Sequence, residues 1–204
     1  MKDFIARFSY FTNNISTLKE TSKDTSKVSL GGIEQYLTDV QTNVINFDAV
    51  KTEYTNKLGL SNSCACSVDA LIVLDGKLAF IEFKNGKVVS RDLRLKVKDS
   101  LLIFCDITGK QLDFTREKVD LYVVYNKSKV MDKLSKDEEE DNQRRCSVQD
   151  SESRDRIWGE IAHLSNDEIV RFCLKRFKWL YFHDVHTYTK DDFAKISKGI
   201  VSVS

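Results

Sequence analysis

Three ionisable residues in the middle of the chain have the types and spacing expected of a divalent-cation site. Asp69 lies in the segment SVDALIV, and Glu82 and Lys84 lie in IEFKNG. Asp75-Gly76 separates the two apolar runs and favours a two-residue hairpin turn. With such a turn Asp69 faces Glu82 across the hairpin. Lys84 then lies on the same sheet face, because side chains alternate along a strand.

Two opposed carboxylates need a compensating cation. Directly paired residues of an antiparallel sheet have Cβ atoms roughly 5 Å apart, so like charges there are destabilising. The rest of this face is apolar and consists of Leu71, Val73, Leu78 and Phe80. Acidic and basic groups collected at one end of an apolar surface indicate a metal site beside a lysine. The alternative is a solvated pair of carboxylates with an edge-strand lysine that discourages aggregation.

Helical spacing of apolar residues predicts helices before the hairpin. A short amphipathic helix is expected over Phe4–Ile15, and a second helix from about Ser29 to Val44 with Glu34 beside its apolar stripe. The polar stretch Thr17–Ser29 between them is expected to be a loop. Asp48–Leu60 has only weak helical spacing, so its assignment stays open.

After the hairpin, a helix is expected over Arg91–Asp106 and a buried strand over Val119–Tyr125. The segment Lys127–Arg156 is highly charged and poor in large apolar residues, which indicates an exposed or mobile insertion. The C-terminal quarter has a further set of predicted elements: helices Ile157–Leu164 and Glu168–Phe177, strand Trp179–Tyr188 and helix Asp191–Ser197.

Length and composition set the limits of the interpretation. A chain of 204 residues is one ordinary domain, with a core at about 30–125, the insertion at about 127–156 and a C-terminal part at 157–204. Lys plus Arg number 32 against 31 Asp plus Glu, so net charge does not indicate a nucleic-acid partner and any basic surface must be local. Five cysteines, no signal peptide and no membrane-length apolar run predict a reduced, cytoplasmic protein without a membrane partner.

These elements predict an α/β fold with a central mixed β-sheet flanked by helices. An aspartate on the first hairpin strand, an ExK sequence on the second and a basic helix after it resemble the core motif of the PD-(D/E)XK nuclease superfamily. The resemblance covers roughly residues 30–125 and implies the restriction-endonuclease-like order αβββαβ. Val68 stands where the motif has proline.

The resemblance implies a metal-dependent endonuclease, with DNA favoured over RNA as substrate and Mg²⁺ or Mn²⁺ as cofactor. Asp69 and Glu82 would be metal ligands, with the Phe83 backbone carbonyl completing the edge of the site. Lys84 would orient the attacking water and offset phosphate charge. Hard divalent cations prefer such oxygen ligands and keep several waters, so two carboxylates and a substrate phosphate suffice.

Other residues join the site only through the resemblance. An acidic residue of the first core helix would be a further metal ligand, with Glu34 as the candidate and Glu53 as the runner-up. Basic residues of the following helix, Arg94, Lys96 and Lys98, would contact nucleic-acid phosphates. A solvated helix face is the alternative for these three residues.

Other motifs give weaker indications. Cys64 and Cys66 have no matching second pair, which favours buried thiols over a metal clip. His183 and His186 would point to opposite faces of a strand, which argues against shared ligation. The aromatic and basic residues of Arg171–Phe182 favour a core-facing segment with a basic outer face over a nucleic-acid surface.

Two further classes of protein remain open on the sequence. The first is a catalytically inactive nuclease-like domain that binds nucleic acid or another protein, and the second is an unrelated α/β domain. A homo-oligomer or a protein partner is compatible with either.

Overall fold

The computed structural model describes residues 1–24, 34–86, 88–131, 170–172 and 174–203. The strands of these residues are β1 Ile15–Thr17, β2 Lys23–Asp24, β3 Gln35–Tyr36, β4 Asn43–Asn46, β5 Ala70–Leu74, β6 Lys77–Lys84, β7 Val119–Tyr125, β8 Asp184–Thr189 and β9 Ile200–Val201. The helices are α1 Lys2–Ile5, α2 Ser9–Thr12, α3 Leu18–Thr21, α4 Phe47–Lys57, α5 Ser90–Thr108, α6 Leu112–Lys118, α7 Lys127–Met131, α8 Phe177–Leu180 and α9 Lys190–Ile196.

A mixed sheet organises the described residues. Its order is β1-β4-β5-β6-β7-β8. Strand β9 pairs with the second half of β5, on the same side of β5 as β4. The pairs β1-β4, β4-β5 and β5-β6 are antiparallel, whereas β6-β7 and β7-β8 are parallel. Strands β2 and β3 form a separate two-stranded sheet. The expected α/β fold with a mixed sheet flanked by helices is therefore confirmed.

The hairpin has the predicted two-residue turn. Leu74 pairs with Lys77, and the register continues to Ala70 opposite Ile81. Asp75 and Gly76 have φ values of 49° and 78°, as a turn of this kind requires of both central residues. The register predicted from the sequence is thus correct along the whole of β5.

Replacing Gly76 by alanine should destabilise the protein through the backbone alone. An added Cβ would meet no atom within 4 Å, but an L-residue at a φ of 78° is strained. We expect a loss of about 1 kcal/mol in the free energy of unfolding, measured by urea denaturation. Gly86→Ala is the matched control because it has equally open surroundings and no positive φ. An equal effect of both substitutions would contradict this account of the turn.

Each face of the hairpin contributes to a different core. Leu71 and Phe80 belong to the cluster that includes α5, to which the helix contributes Leu93, Val97, Leu101 and Phe104. Ile72 and Ile81 belong to a second cluster on the opposite face, with Phe193 of α9. The predicted helix Arg91–Asp106 is confirmed as α5, and the predicted strand Val119–Tyr125 as β7.

The predicted helix over Ser29–Val44 is wrong wherever the structure describes it. Residues 34–44 contain β3 and the start of β4, and residues 25–33 lie outside the described part. Val44 and Ile45 are both fully buried, and they belong to the clusters on opposite sides of the sheet. The apolar spacing resembles a helix because Leu37 and Val40, in a loop, and Val44, in β4, all pack on the same cluster.

The N-terminal prediction is only half correct. Phe4 and Phe11 lie in two short helices, α1 and α2, rather than in one, and Ile15 begins β1. Both phenylalanines pack on Phe104 of α5. The undecided segment Asp48–Leu60 is largely helical, as α4.

The C-terminal predictions have mixed outcomes. The predicted strand Trp179–Tyr188 is shorter, as β8, and the closing helix is α9. The predicted helix Glu168–Phe177 is wrong at residues 170–172 and 174–176, where Phe172 has a φ of 60° that an α-helix does not allow. The predicted helix Ile157–Leu164, and the insertion apart from α7, lie outside the described residues. Within the described ranges no helix has both the length and the apolar character to span a bilayer.

Candidate active site

The acidic pair, Asp69 and Glu82, lies at the end of the sheet where β5 begins and β6 ends. Glu82 is completely buried on the face that packs against α5. Asp69 directly precedes β5, and its side chain is 16 % exposed. Its N–H donates to the Ile81 carbonyl at 3.1 Å, which ties it to β6 next to Glu82. One carboxylate of the pair is therefore sealed from solvent and the other is reachable.

Two lysines contact the acidic pair. The Nζ atoms of Lys84 and Lys96 lie 2.7 and 2.8 Å from Glu82 Oε1, and Lys96 Nζ lies 3.8 Å from Asp69 Oδ1. Burial lowers the pKa of Lys96, but the charges of Glu82 and Asp69 outweigh it and raise that pKa above its usual value. The compensating positive charge in this structure thus comes from Lys96, which contacts both carboxylates, and from Lys84, which contacts Glu82.

The second carboxylate oxygen of Glu82 accepts a hydrogen bond from neither lysine. Glu82 Oε2 is buried and has no hydrogen-bond partner among the described residues. A buried carboxylate oxygen without a partner costs free energy, because nothing replaces its hydration. This atom can accept a further cation or donor at the site.

Asp69 is held by the second hairpin strand. The Phe83 N–H donates to Asp69 Oδ2 at 2.5 Å. Burial and then the charge of Glu82 raise the pKa of Asp69 well above its usual range, against the opposing effects of Lys96 and the Phe83 N–H. The pair is therefore electrostatically strained and would gain from additional positive charge.

The three basic residues predicted to bind nucleic acid do not share one face of α5. Residues two apart on a helix are about 200° apart, whereas residues four apart share a face. Lys96 reaches the acidic pair, whereas Lys98 is exposed. Arg94 Nε donates to the Ser90 carbonyl of its own helix at 3.2 Å. Only Lys96 is brought to the site.

The predicted third ligands are paired elsewhere in the described part of the chain. Glu34 precedes β3 and contacts Lys23 at 2.5 Å and the Tyr36 hydroxyl at 3.1 Å. Glu53 lies on α4 and contacts Lys57 at 2.7 Å. The structure therefore brings neither residue to the acidic pair.

Two aspartates near the pair were not singled out by the sequence. Asp24, at the end of β2, lines a cleft of about 210 Å³ together with Asp69, Phe83 and Asn85. The Asn85 side-chain amide donates to Asp24 Oδ2 at 2.7 Å. Asp48, in the first turn of α4, accepts a hydrogen bond from Ser67, and its charge raises the pKa of Asp69.

No sequence signal distinguished these two residues. Asp24 belongs to a polar stretch that is expected to be a loop, and the segment of Asp48 has only weak helical spacing. Their approach to Asp69 depends on the pairing of short strands and on the packing of α4, which are long-range contacts.

The acidic pair and the Phe83 carbonyl are the oxygen donors of this site that a divalent cation could use. Among the described residues, no group of three or more His, Cys, Asp or Glu side chains is arranged to hold a metal ion. A hard cation that keeps several waters can be held by two carboxylates and a substrate phosphate. Asp69, the unpaired oxygen of Glu82 and the Phe83 carbonyl are oxygen donors of the kind that Mg²⁺ or Mn²⁺ prefers and would hold such a cation, while Asp24 lines the same cleft.

Asp24→Asn should weaken binding of Mn²⁺ about tenfold, since residues one shell beyond a metal's ligands typically have effects of 10–100-fold. Isothermal titration of the metal into the purified protein measures the change. Asp39→Asn is the matched control, because Asp39 pairs with Lys19 at 3.1 Å and neither of these residues lines the cleft. Equal losses in both variants would show that the cleft has no special role.

The cysteine and histidine motifs form no shared ligand set in the described residues. Cys64 is exposed and Cys66 partly buried, and neither is in a disulfide, so the expected buried thiol is not found at Cys64. His183 Nδ1 lies 2.8 Å from Asp120 Oδ1, whereas His186 stacks on the Tyr122 ring. The two histidines therefore have separate partners.

The chain matches no protein-family model, no curated protein and no solved structure.

Proposed function

We propose that the protein is a metal-dependent nuclease that hydrolyses phosphodiester bonds of nucleic acid, with DNA favoured over RNA. The observation that carries the proposal is the buried carboxylate of Glu82. Its Oε2 atom has no hydrogen-bond partner among the described residues, and Asp69 and Lys84 lie beside this carboxylate at one end of the sheet. A carboxylate pair of this kind, with one member sealed and one reachable, suits a cation that also contacts substrate. The resemblance of the ExK hairpin to the PD-(D/E)XK superfamily supports the same function.

Each residue of the site has a role in this proposal. Asp69, Glu82 and the Phe83 carbonyl would hold the metal, which supplies a bound water of lowered pKa and neutralises charge on the phosphate. Lys84 Nζ orients the attacking water and donates to it. The Phe83 N–H fixes the Asp69 carboxylate and therefore its direction. Asp24 orders solvent at the mouth of the cleft.

Lys96 neutralises the acidic pair in this structure. Its side chain is 29 % exposed and lies beside both carboxylates. In a complex with metal and substrate, the Lys96 ammonium would be available to contact the scissile phosphate.

The Lys96–Glu82 ion pair also favours a second candidate function. A charge cluster that is already neutralised can be purely structural, in which case the domain is an inactive nuclease-like fold that binds nucleic acid or protein. Breaking such a buried pair is strongly destabilising whether or not catalysis occurs. The two functions differ in whether a metal replaces the lysine.

Cleavage assays distinguish these functions. Wild-type protein is incubated with plasmid, linear duplex, single-stranded DNA and RNA in Mg²⁺, Mn²⁺ or a chelator. We expect cleavage only with metal, and at least 1,000-fold slower cleavage by Glu82→Gln, since a metal ion contributes several kcal/mol to transition-state stabilisation. Failure to cleave any substrate in either metal would favour the inactive domain.

A further inference from the structure

A second cleft opens beside the candidate active site, where the parallel strands β7 and β8 end. It has a volume of about 530 Å³, and its lining includes Tyr125, Lys127, Arg171, Tyr188, Asp192 and Lys195. Crevices outside the carboxyl ends of parallel strands are common binding sites in open α/β sheets. None of the site residues discussed above lines this cleft.

The charge of the cleft is predominantly positive. Lys127, Arg171 and Lys195 come from three separate segments, and Asp192 is the acidic residue among its lining side chains. Asp192 is held by Lys195 at 2.9 Å and by the Thr189 hydroxyl at 2.7 Å. The Lys195 hydrogen bond is the main cause that lowers the pKa of Asp192, and the charge of Lys127 contributes. The remaining positive charge suits a phosphate-bearing ligand.

An aromatic stack adjoins the cations. The ring of Tyr122 lies 4.6 Å from that of His186, and the His186 ring lies 5.7 Å from that of Tyr188 with only 8° between their planes. These side chains share one face of β7 and β8, and β8 ends the order of the described sheet. Tyr188 belongs both to the stack and to the cleft lining. Tyr122 is buried, so Tyr188, which lines the cleft, is the ring of this stack that a base in the cleft could reach. An aromatic ring beside cations is a component of a single-strand binding surface.

The register relates this cleft to the active site. Lys84 pairs with Tyr125, and Tyr125 pairs with Thr189, so the ends of β6, β7 and β8 are level. With neighbouring strands about 4.8 Å apart, the cleft residue Tyr125 lies one strand from Lys84, and the cleft residue Thr189 lies two strands, about 10 Å, from it. The Asn126 side chain donates to Asn85 Oδ1 at 2.9 Å, which joins the loops of the two sites.

We propose that this cleft binds an unpaired segment of the nucleic-acid strand next to the scissile phosphate. A backbone phosphate of this unpaired segment, other than the scissile one, lies between Lys127, Arg171 and Lys195. A base of the segment stacks on Tyr188. This inference rests on the proposed nuclease function for its substrate, and it specifies that the substrate is single-stranded, frayed or flapped at this position.

Binding without cleavage tests the proposal. Fluorescence anisotropy in a chelator measures the affinity of the full chain for a labelled single strand of DNA or RNA and for a matched duplex. The double variant Lys127→Glu/Arg171→Glu should bind the single strands at least tenfold more weakly, with a smaller salt dependence because fewer counterions are released. Lys198→Glu is the matched control: it lies next to Gly199, which approaches Leu74 at the opposite end of the sheet.

A second pair of variants tests stacking. Tyr188→Leu should weaken single-strand binding about tenfold and duplex binding less, since base–aromatic stacking requires an unpaired base. Tyr188→Phe retains the ring and should bind as the wild type does. Circular dichroism melting of each variant establishes that it is folded.

The outcomes separate this inference from the nuclease function. Equal binding by the wild type, the double variant and Tyr188→Leu would overturn the cleft proposal, even if metal-dependent cleavage is observed. Loss of binding in those variants supports the cleft even if no metal gives cleavage. Failure of the wild type to bind any nucleic acid in the chelator would overturn the cleft proposal, and metal-dependent cleavage would still decide the nuclease function separately.

Discussion

Replacing Lys84 by alanine is expected to slow metal-dependent cleavage at least 100-fold. Lys84 Nζ lies 2.7 Å from Glu82 Oε1, so it is close to a proposed metal ligand and would be able to orient an attacking water. Loss of a positioned proton-transfer or orienting group typically costs 10²–10⁴-fold. Lys96 still neutralises Glu82 after this change, so the protein should stay folded. Single-turnover cleavage at saturating enzyme measures the rate of the chemical step.

Lys77→Ala is the matched control for this experiment. Lys77 is the first residue of the same strand, at the opposite end of the sheet from Lys84. Its Nζ contacts His183 Nδ1 at 3.0 Å. Its removal should leave the rate of cleavage unchanged. Comparable rates for the Lys84 variant and the wild type would assign Lys84 to charge neutralisation alone.

Replacing Lys96 by methionine is expected to make folding depend on metal. Methionine keeps most of the apolar stem, and among the described residues it leaves Lys84 as the one lysine in contact with the acidic pair. Removing one partner of a buried ion pair commonly costs 3–5 kcal/mol. We expect about 2 kcal/mol here, because the side chain of Lys96 is 29 % exposed and Lys84 remains. Urea denaturation in a chelator measures this loss in the free energy of unfolding.

Mn²⁺ should then restore most of the stability of Lys96→Met. A ligand at one hundred times its dissociation constant stabilises the folded state by about 2.7 kcal/mol, which is enough to offset the missing charge. Lys98→Met, two residues along the same helix and exposed, should show neither the loss nor the metal-dependent gain. If Lys96→Met is destabilised and metal does not restore it, the acidic pair is a structural ion pair and not a metal site.

The hairpin was predictable because its information is local. Asp75-Gly76 specifies the turn and alternation specifies the face, so the approach of Asp69 to Glu82 follows from about twenty consecutive residues. Helix α5 and strand β7 are long and strongly patterned, and they were predicted for the same reason. These elements define the mixed sheet and one side of its core.

The remaining parts of the site depend on contacts distant in sequence. Glu34 was predicted on a helix that does not exist in residues 34–44. Loop residues Leu37 and Val40 pack on the same cluster as Val44 of β4, and this shared burial imitates helical spacing. Asp24 reaches the cleft through the β2-β3 pair, which no local pattern indicates. The role of Lys96 required its position on α5 relative to β6, which only the packed structure specifies.

The measurement that tests the central claim most directly is single-turnover cleavage by the wild type and by Glu82→Gln in Mn²⁺, with oligonucleotide binding measured in parallel. Glutamine keeps the shape of the buried side chain and removes the charge that a metal requires. We predict metal-dependent cleavage by the wild type and at least 1,000-fold slower cleavage by the variant, with unchanged binding of the oligonucleotide. Cleavage by the variant at the wild-type rate would contradict the account.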